Sequence, residues 1–86
     1  WQFSYFKTGE NLEIDLLIEK PRGKRILVEI KSFSKIKEEK LKPFITIQKE
    51  IPHETSYLLS NDKTEREIEG IRCLHWKAGL KEIFDL

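Results

Sequence analysis

Two neighbouring apolar runs set the frame of this chain. Residues 12–19 (LEIDLLIE) and 25–32 (RILVEIKS) are rich in Ile, Leu and Val and predict two strands. Between them, Lys20-Pro21-Arg22-Gly23-Lys24 carries the Pro and Gly of a reversal. A side-chain period of two puts Glu13, Asp15, Leu17 and Glu19 on one face of the first strand and Leu27, Glu29 and Lys31 on one face of the second. The opposite faces hold Ile14, Leu16 and Ile18, and Ile26, Val28 and Ile30, which the pattern assigns to the core. With Glu19 facing Arg25 across the turn, Asp15 falls opposite Glu29 and Glu13 opposite Lys31, because opposed residues in an antiparallel pair have a constant number sum.

The rest of the chain supplies a crossover. Residues 1–6 (WQFSYF) predict an aromatic strand ahead of the pair. After Lys31, Ser34 offers a cap for a helical stretch over 35–51, in which Leu41, Phe44, Gln48 and Ile51 recur at helical spacing. Pro43 interrupts that stretch, so two segments are expected, with Pro43 opening the second. Residues 55–60 (TSYLLS) predict a strand leaving through Asn61-Asp62-Lys63, residues 71–76 a further strand, and residues 78–84 a closing helix. A right-handed strand–helix–strand crossover places 55–60 parallel to 25–32. The expected fold is α/β, a mixed sheet of about five strands in the order β-β-β-α-β-β-α, as a single domain over residues 1–86. The closing helix is too short to cover its whole face, so an apolar patch near the aromatic strand and a homodimer are expected.

Composition narrows the class. At 86 residues, with 36% charged and 38% hydrophobic positions, the chain is globular and close to the lower size for one core. It has no run approaching 18 apolar residues, so no membrane partner is expected. One Cys fits a reducing compartment, most simply the cytoplasm. Starting at Trp1 and holding no Met, the sequence reads as a fragment of a longer protein. The net charge of +1 is weak support for a nucleic-acid partner.

Chemistry enters through the opposed carboxylates. Like charges facing each other across strands are unfavourable unless something cationic sits between them. A hard divalent ion, Mg²⁺ or Mn²⁺, suits Asp15, Glu29 and Glu13, and Lys31 beside them would hold a water or stabilise charge on phosphorus. The bland alternative is a set of solvated cross-strand pairs, Glu13 with Lys31 and Glu29 with Arg25 or Lys7. Lys7, Lys35 and Lys37 flank the loops that should rim the site, as substrate-backbone contacts or as plain surface charge. The basic cluster Lys20, Arg22, Lys24 and Arg25 lies at the wrong end of the hairpin, roughly 16 Å from Asp15 at ~3.3 Å per residue. Cys73 and His75 are too few for a zinc site, and no nucleophilic triad or Gly-rich phosphate loop is present.

Asp15 followed by Glu29-Ile30-Lys31 resembles the PD-(D/E)xK superfamily of restriction-endonuclease-like folds. The longer string of Trp1 to Phe6, Thr8-Gly9-Glu10-Asn11, Glu13-Ile14-Asp15 and Val28-Glu29-Ile30-Lys31 is similar to a domain of unknown function at the C-terminal end of bacterial and archaeal AAA-type ATPases. The resemblance implies a restriction-endonuclease-like core without its first helix, and metal-dependent hydrolysis of nucleic acid. Asp15, Glu29 and Glu13 would ligate the metal and Lys31 would position the attacking water. It also implies the ATPase domain as a partner, with any ATP site in the missing N-terminal part. Some relatives aim a Gln from the helix at the metal; Gln48 occupies that place, although Pro52 stands where the accompanying tyrosine would be, and a core-edge role is the competing reading. The alternative function is a catalytically silent module that binds protein or DNA for the ATPase.

Overall fold

The computed structural model describes residues 1–8, 13–32 and 34–85, with side chains at 1–4, 16–32 and 34–85. The strands are β1 (Gln2–Thr8), β2 (Glu13–Glu19), β3 (Arg25–Ile30), β4 (Thr55–Ser60), β5 (Arg66–Ile68) and β6 (Ile71–His75), and the helices α1 (Lys42–Glu50) and α2 (Trp76–Phe84). The hairpin forms in the register that the charged turn suggests, with Glu19 opposite Arg25, Leu17 opposite Leu27 and Asp15 opposite Glu29. Arg22 and Gly23 both take positive φ inside the reversal, and the Lys20 N–H donates to the Lys24 carbonyl at 2.8 Å to close it. β1 pairs antiparallel with β2, while β4 lies parallel to β3 and to β6, giving the order β1-β2-β3-β4-β6-β5.

The sheet is therefore mixed, as expected, but has six strands rather than five. The extra strand, β5, is only three residues long and sits in Glu65-Arg66-Glu67-Ile68-Glu69, where one apolar residue among charges leaves no strand signal. It exists because the Glu69-Gly70 turn folds it back onto β6, pairing Ile68 with Ile71. Both turn residues have positive φ, as a two-residue hairpin loop demands.

Helix ends also depart from expectation. The stretch after β3 does divide at Pro43, into a 3-10 turn over Glu38–Leu41 and then α1, with Pro43 in the first turn, where its missing N–H and fixed φ do no harm. Ser34 does not cap it: Lys37 holds the N-cap position, without a side-chain hydrogen bond. β3 stops at Ile30 and β6 at His75. α2 starts at Trp76, two residues early, because the His75 Nδ1 accepts the Lys77 N–H and serves as its cap.

The sheet separates two cores. Leu17, Leu27, Leu58, Ile71 and Cys73 meet Leu41 and Phe44 on the α1 face. Ile18, Ile26, Val28, Tyr57, Leu59 and Leu74 meet Ile83 on the α2 face. Gly79 lets α2 settle on β4, since a Cβ there would run into the Leu59 side chain. α2 crosses its face diagonally, from the His75 end of β6 to the start of β1, where Phe84 stacks on Trp1 with ring centroids 5.3 Å apart. The diagonal leaves the far end of β3 open, and Ile30, assigned to the core by its period, is 62% exposed. Trp1 and Phe3 are also half-exposed.

Candidate functional site

The ends of β3, β4 and β6 bring the chemistry together. These three strands are parallel, and the crevice beyond the carboxyl ends of parallel strands is where α/β sheets usually take ligands. At that end, Glu29 points to the α1 face and is 2% exposed. The Lys31 Nζ lies 3.1 Å from Glu29 Oε1, and the Lys31 side chain is 8% exposed. The Lys31 N–H donates to the Leu59 carbonyl at 2.9 Å, holding the residue beside β4 after β3 has ended. Burial, and then repulsion from Lys40, hold the Lys31 amine below its ordinary pKa. The folded chain thus gives up this proton before the unfolded chain does. Stability rises with pH across that interval, and the cost of burying the cation is fully present only below the lowered pKa.

Asp15 stands directly opposite Glu29 in the β2–β3 ladder. Counting back from the hydrogen-bonded Lys20/Lys24 pair, alternation makes Asp15/Glu29 a non-hydrogen-bonded pair, whose Cα atoms are about 4.5 Å apart. The side chains of Lys7, Glu13 and Asp15, and the Gly9–Asn11 turn expected to rim the site, lie outside the described residues. So does Phe33. Among the described side chains, no three His, Cys, Asp or Glu gather as metal ligands.

Lys35 and Lys37 are exposed on the loop after β3, on either side of buried Ile36. Gln48 lies elsewhere. Its Nε2 donates to the Glu69 carbonyl at 2.8 Å and its Oε1 accepts from Ser56 Oγ at 2.6 Å. Ser56 pairs with Leu27, two residues and ~7 Å down the sheet from the Glu29 level. The Gln48 amide is thus spent on tying α1 to β4 and to the β5–β6 turn, as its core-edge reading has it.

Asp62 is the residue that sequence reasoning passed over. It is buried just past β4, where its Oδ2 accepts the Ile36 N–H at 2.9 Å and its Oδ1 the Thr64 N–H at 2.9 Å. The Arg66 guanidinium reaches both Asp62 Oδ2 and the Ile36 carbonyl, each at 3.3 Å. Both polar groups of the Ile36 backbone are thereby clasped by one ion pair. The Ile36 N–H, and then the Thr64 N–H, hold the Asp62 carboxyl below its ordinary pKa. Asp62-x-Thr64 is the signature of an Asx turn, so the sequence did carry a local signal; the bond to Ile36, 26 residues away, left none.

Fold and site together define an α/β domain with a carboxylate–lysine pair at the ends of its parallel strands. The chain belongs to the family described as Domain of unknown function (DUF4143), whose profile matches residues 1–78. No curated protein and no solved structure matches it. Among the described residues, no helix is long and apolar enough to cross a membrane.

Proposed function

We propose that this domain is a PD-(D/E)xK-type, Mg²⁺-dependent nuclease module attached to an AAA-type ATPase in the cytoplasm. The observation that carries the reading is the register: Asp15 opposite Glu29, with Lys31 paired to Glu29 at the carboxyl end of β3. Opposed carboxylates are a donor set that fits a hard cation, with Asp15 and Glu29 as ligands and Glu13, two positions earlier in β2, as the third. A bound Mg²⁺ would polarise the scissile phosphate and acidify a water. Lys31, pressed toward its neutral form by burial, orients that water and meets charge as it develops on phosphate oxygens. The test is cleavage of end-labelled DNA and RNA oligonucleotides with Mg²⁺ or Mn²⁺. Asp15→Asn and Lys31→Met should each abolish it, and a parent chain inactive with both metals ends the reading.

The Glu29–Lys31 contact favours a second reading. A buried carboxylate 3.1 Å from an ammonium is already neutralised by the chain itself, as in a structural pair. The domain would then be a catalytically silent module that binds protein or DNA for the ATPase. Calorimetric titration with Mn²⁺ separates the two: the nuclease reading expects binding that Asp15→Asn removes, the silent module expects none.

A further inference from the structure

Trp76 is 41% exposed, although an indole usually finds cover in a fold of this size. It is the first residue of α2 and follows His75, which pairs with Ser60 at the end of β4. It therefore stands at the carboxyl end of the parallel strands. Trp1 sits at the opposite end, beside the start of β1, stacked on Phe84 and lying under the Lys20 ammonium at 4.9 Å. From Lys31 to the Trp76 junction the strand ends step from β3 to β4 to β6, two spacings or about 10 Å. A short stretch of one strand can meet both.

The surroundings of Trp76 are basic. The Lys77 ammonium lies 5.5 Å from its ring centroid, and the His75 ring is 5.6 Å away at 32°. Lys35, Lys37 and Lys63 are exposed at the same end, flanking Ile36 and Asp62. Two of the described acids there are engaged: Asp62 holds Ile36, Thr64 and Arg66, and Glu29 holds Lys31, while Glu65 is exposed in the loop after β4. Glu38 and Glu39 line a separate groove with Lys42, Ile45 and Lys49 of α1 and Ile68 of β5.

We propose that Trp76 is a stacking platform for an unpaired base, so that the substrate class of this domain is single-stranded nucleic acid, its phosphates carried by Lys35, Lys37, Lys63 and Lys77. This rests on the reading of the Asp15–Glu29–Lys31 site as one that acts on nucleic acid. An exposed aromatic face beside an ammonium group, with further lysines exposed at the same end of the sheet, is the chemistry that holds a single strand without reading its sequence. Base pairs in a duplex keep their faces stacked on each other, so only a single strand can use the indole.

The test is a titration in EDTA, which keeps binding separate from metal chemistry. In a Trp1→Phe background Trp76 is the one remaining indole, and its fluorescence reports contact directly. Oligothymidine and oligouridine of about 12 nucleotides are the probes. Quenching by either is expected. Trp76→Ala should weaken binding about 5- to 150-fold, the stacking worth of one base, and Trp76→Phe should restore most of it. Unchanged fluorescence, equal affinity of Trp76→Ala, or a blunt duplex binding as tightly as the strand would each overturn the proposal. So would a change of sedimentation coefficient in Trp76→Ala without loss of oligonucleotide binding, which would make Trp76 a contact between protein copies. Cleavage with Mg²⁺ that ignores Trp76 retains the nuclease and rejects the platform. Binding through Trp76 without any cleavage does the reverse.

Discussion

The two faces of the sheet are built on different terms. Under α2, Ile18, Ile26, Val28, Leu59, Leu74 and Ile83 form an apolar layer, and the pKa of buried Tyr57 beside them is raised to about 12 by burial and by its hydrogen bond to Glu82. Under α1, the apolar residues share their layer with Glu29, Gln48 and Ser56, and Asp62 closes its edge. A buried polar group destabilises unless it is partnered, so the α1 face had to be wired as well as packed. The α2 face holds the domain together mainly by area, with the Arg72 guanidinium donating to both Glu82 carboxylate oxygens, at 2.6 and 2.7 Å, to fasten the helix at its exposed rim. The α1 face spends part of its area on placing groups, and the candidate site grows from it.

The largest effect should come from the apolar part of the α1 face itself. Phe44 is fully buried, and Phe44→Ala should cost ~3 to 5 kcal/mol in urea melts. A loss no greater than that of a surface substitution would mean that the polar groups, not Phe44, organise this face. On the α2 face the matching stress is overpacking. Gly79→Ala drives a methyl into Leu59 and should cost ~1 to 3 kcal/mol, with little effect on anything at the strand ends.

The wiring shows itself in pH dependence. Because the folded state holds the Asp62 carboxyl below its ordinary range, the stabilisation is complete above that range and disappears as pH falls through the lowered value. The urea midpoint of the parent should therefore drop as pH falls through and below the ordinary carboxylate range, and that of Asp62→Asn should drop less. Parallel curves would place Asp62 outside the stability of the α1 face. Cys73 checks the same face from another side. Burial pushes its thiol up to about 11, so dithionitrobenzoate should label it only in the unfolded chain.

Ile30→Ala should do least, within ~0.5 kcal/mol, since its side chain lies beyond the reach of α2. A cavity-sized loss there would show that something other than α2 covers this corner of the sheet.

Much of this architecture was legible in the chain. The Asp15–Glu29 register followed from one charged turn and a number sum, because an antiparallel pair of short strands leaves no other freedom. Pro43 announced the division before α1 through a missing N–H. Other features escaped for physical reasons. β5 is held by the turn after it rather than by its own residues, and period two could not reveal that the α2 cover ends before Ile30. Residues 71–76 looked like one strand, whereas the His75 imidazole ends it a residue earlier and decides where α2 begins. Asp62 looked like a solvated turn because its partner in the loop after β3 is remote in sequence.

That remoteness bears on how the domain assembles. The β2–β3 hairpin can close over a turn of five residues, early and without help from the rest of the chain. The lysine-bearing loop around Ile36 cannot be placed so soon: its N–H waits for Asp62, 26 residues on, and its carbonyl for Arg66, 30 residues on. Each closure carries an entropy cost that only the later contacts repay. The opposed acids are thus among the first parts of the domain to meet, and the basic rim around them among the last to be set. A folding intermediate in which only the chain before Asp62 is ordered would hold the acids in register with the rim still unfastened.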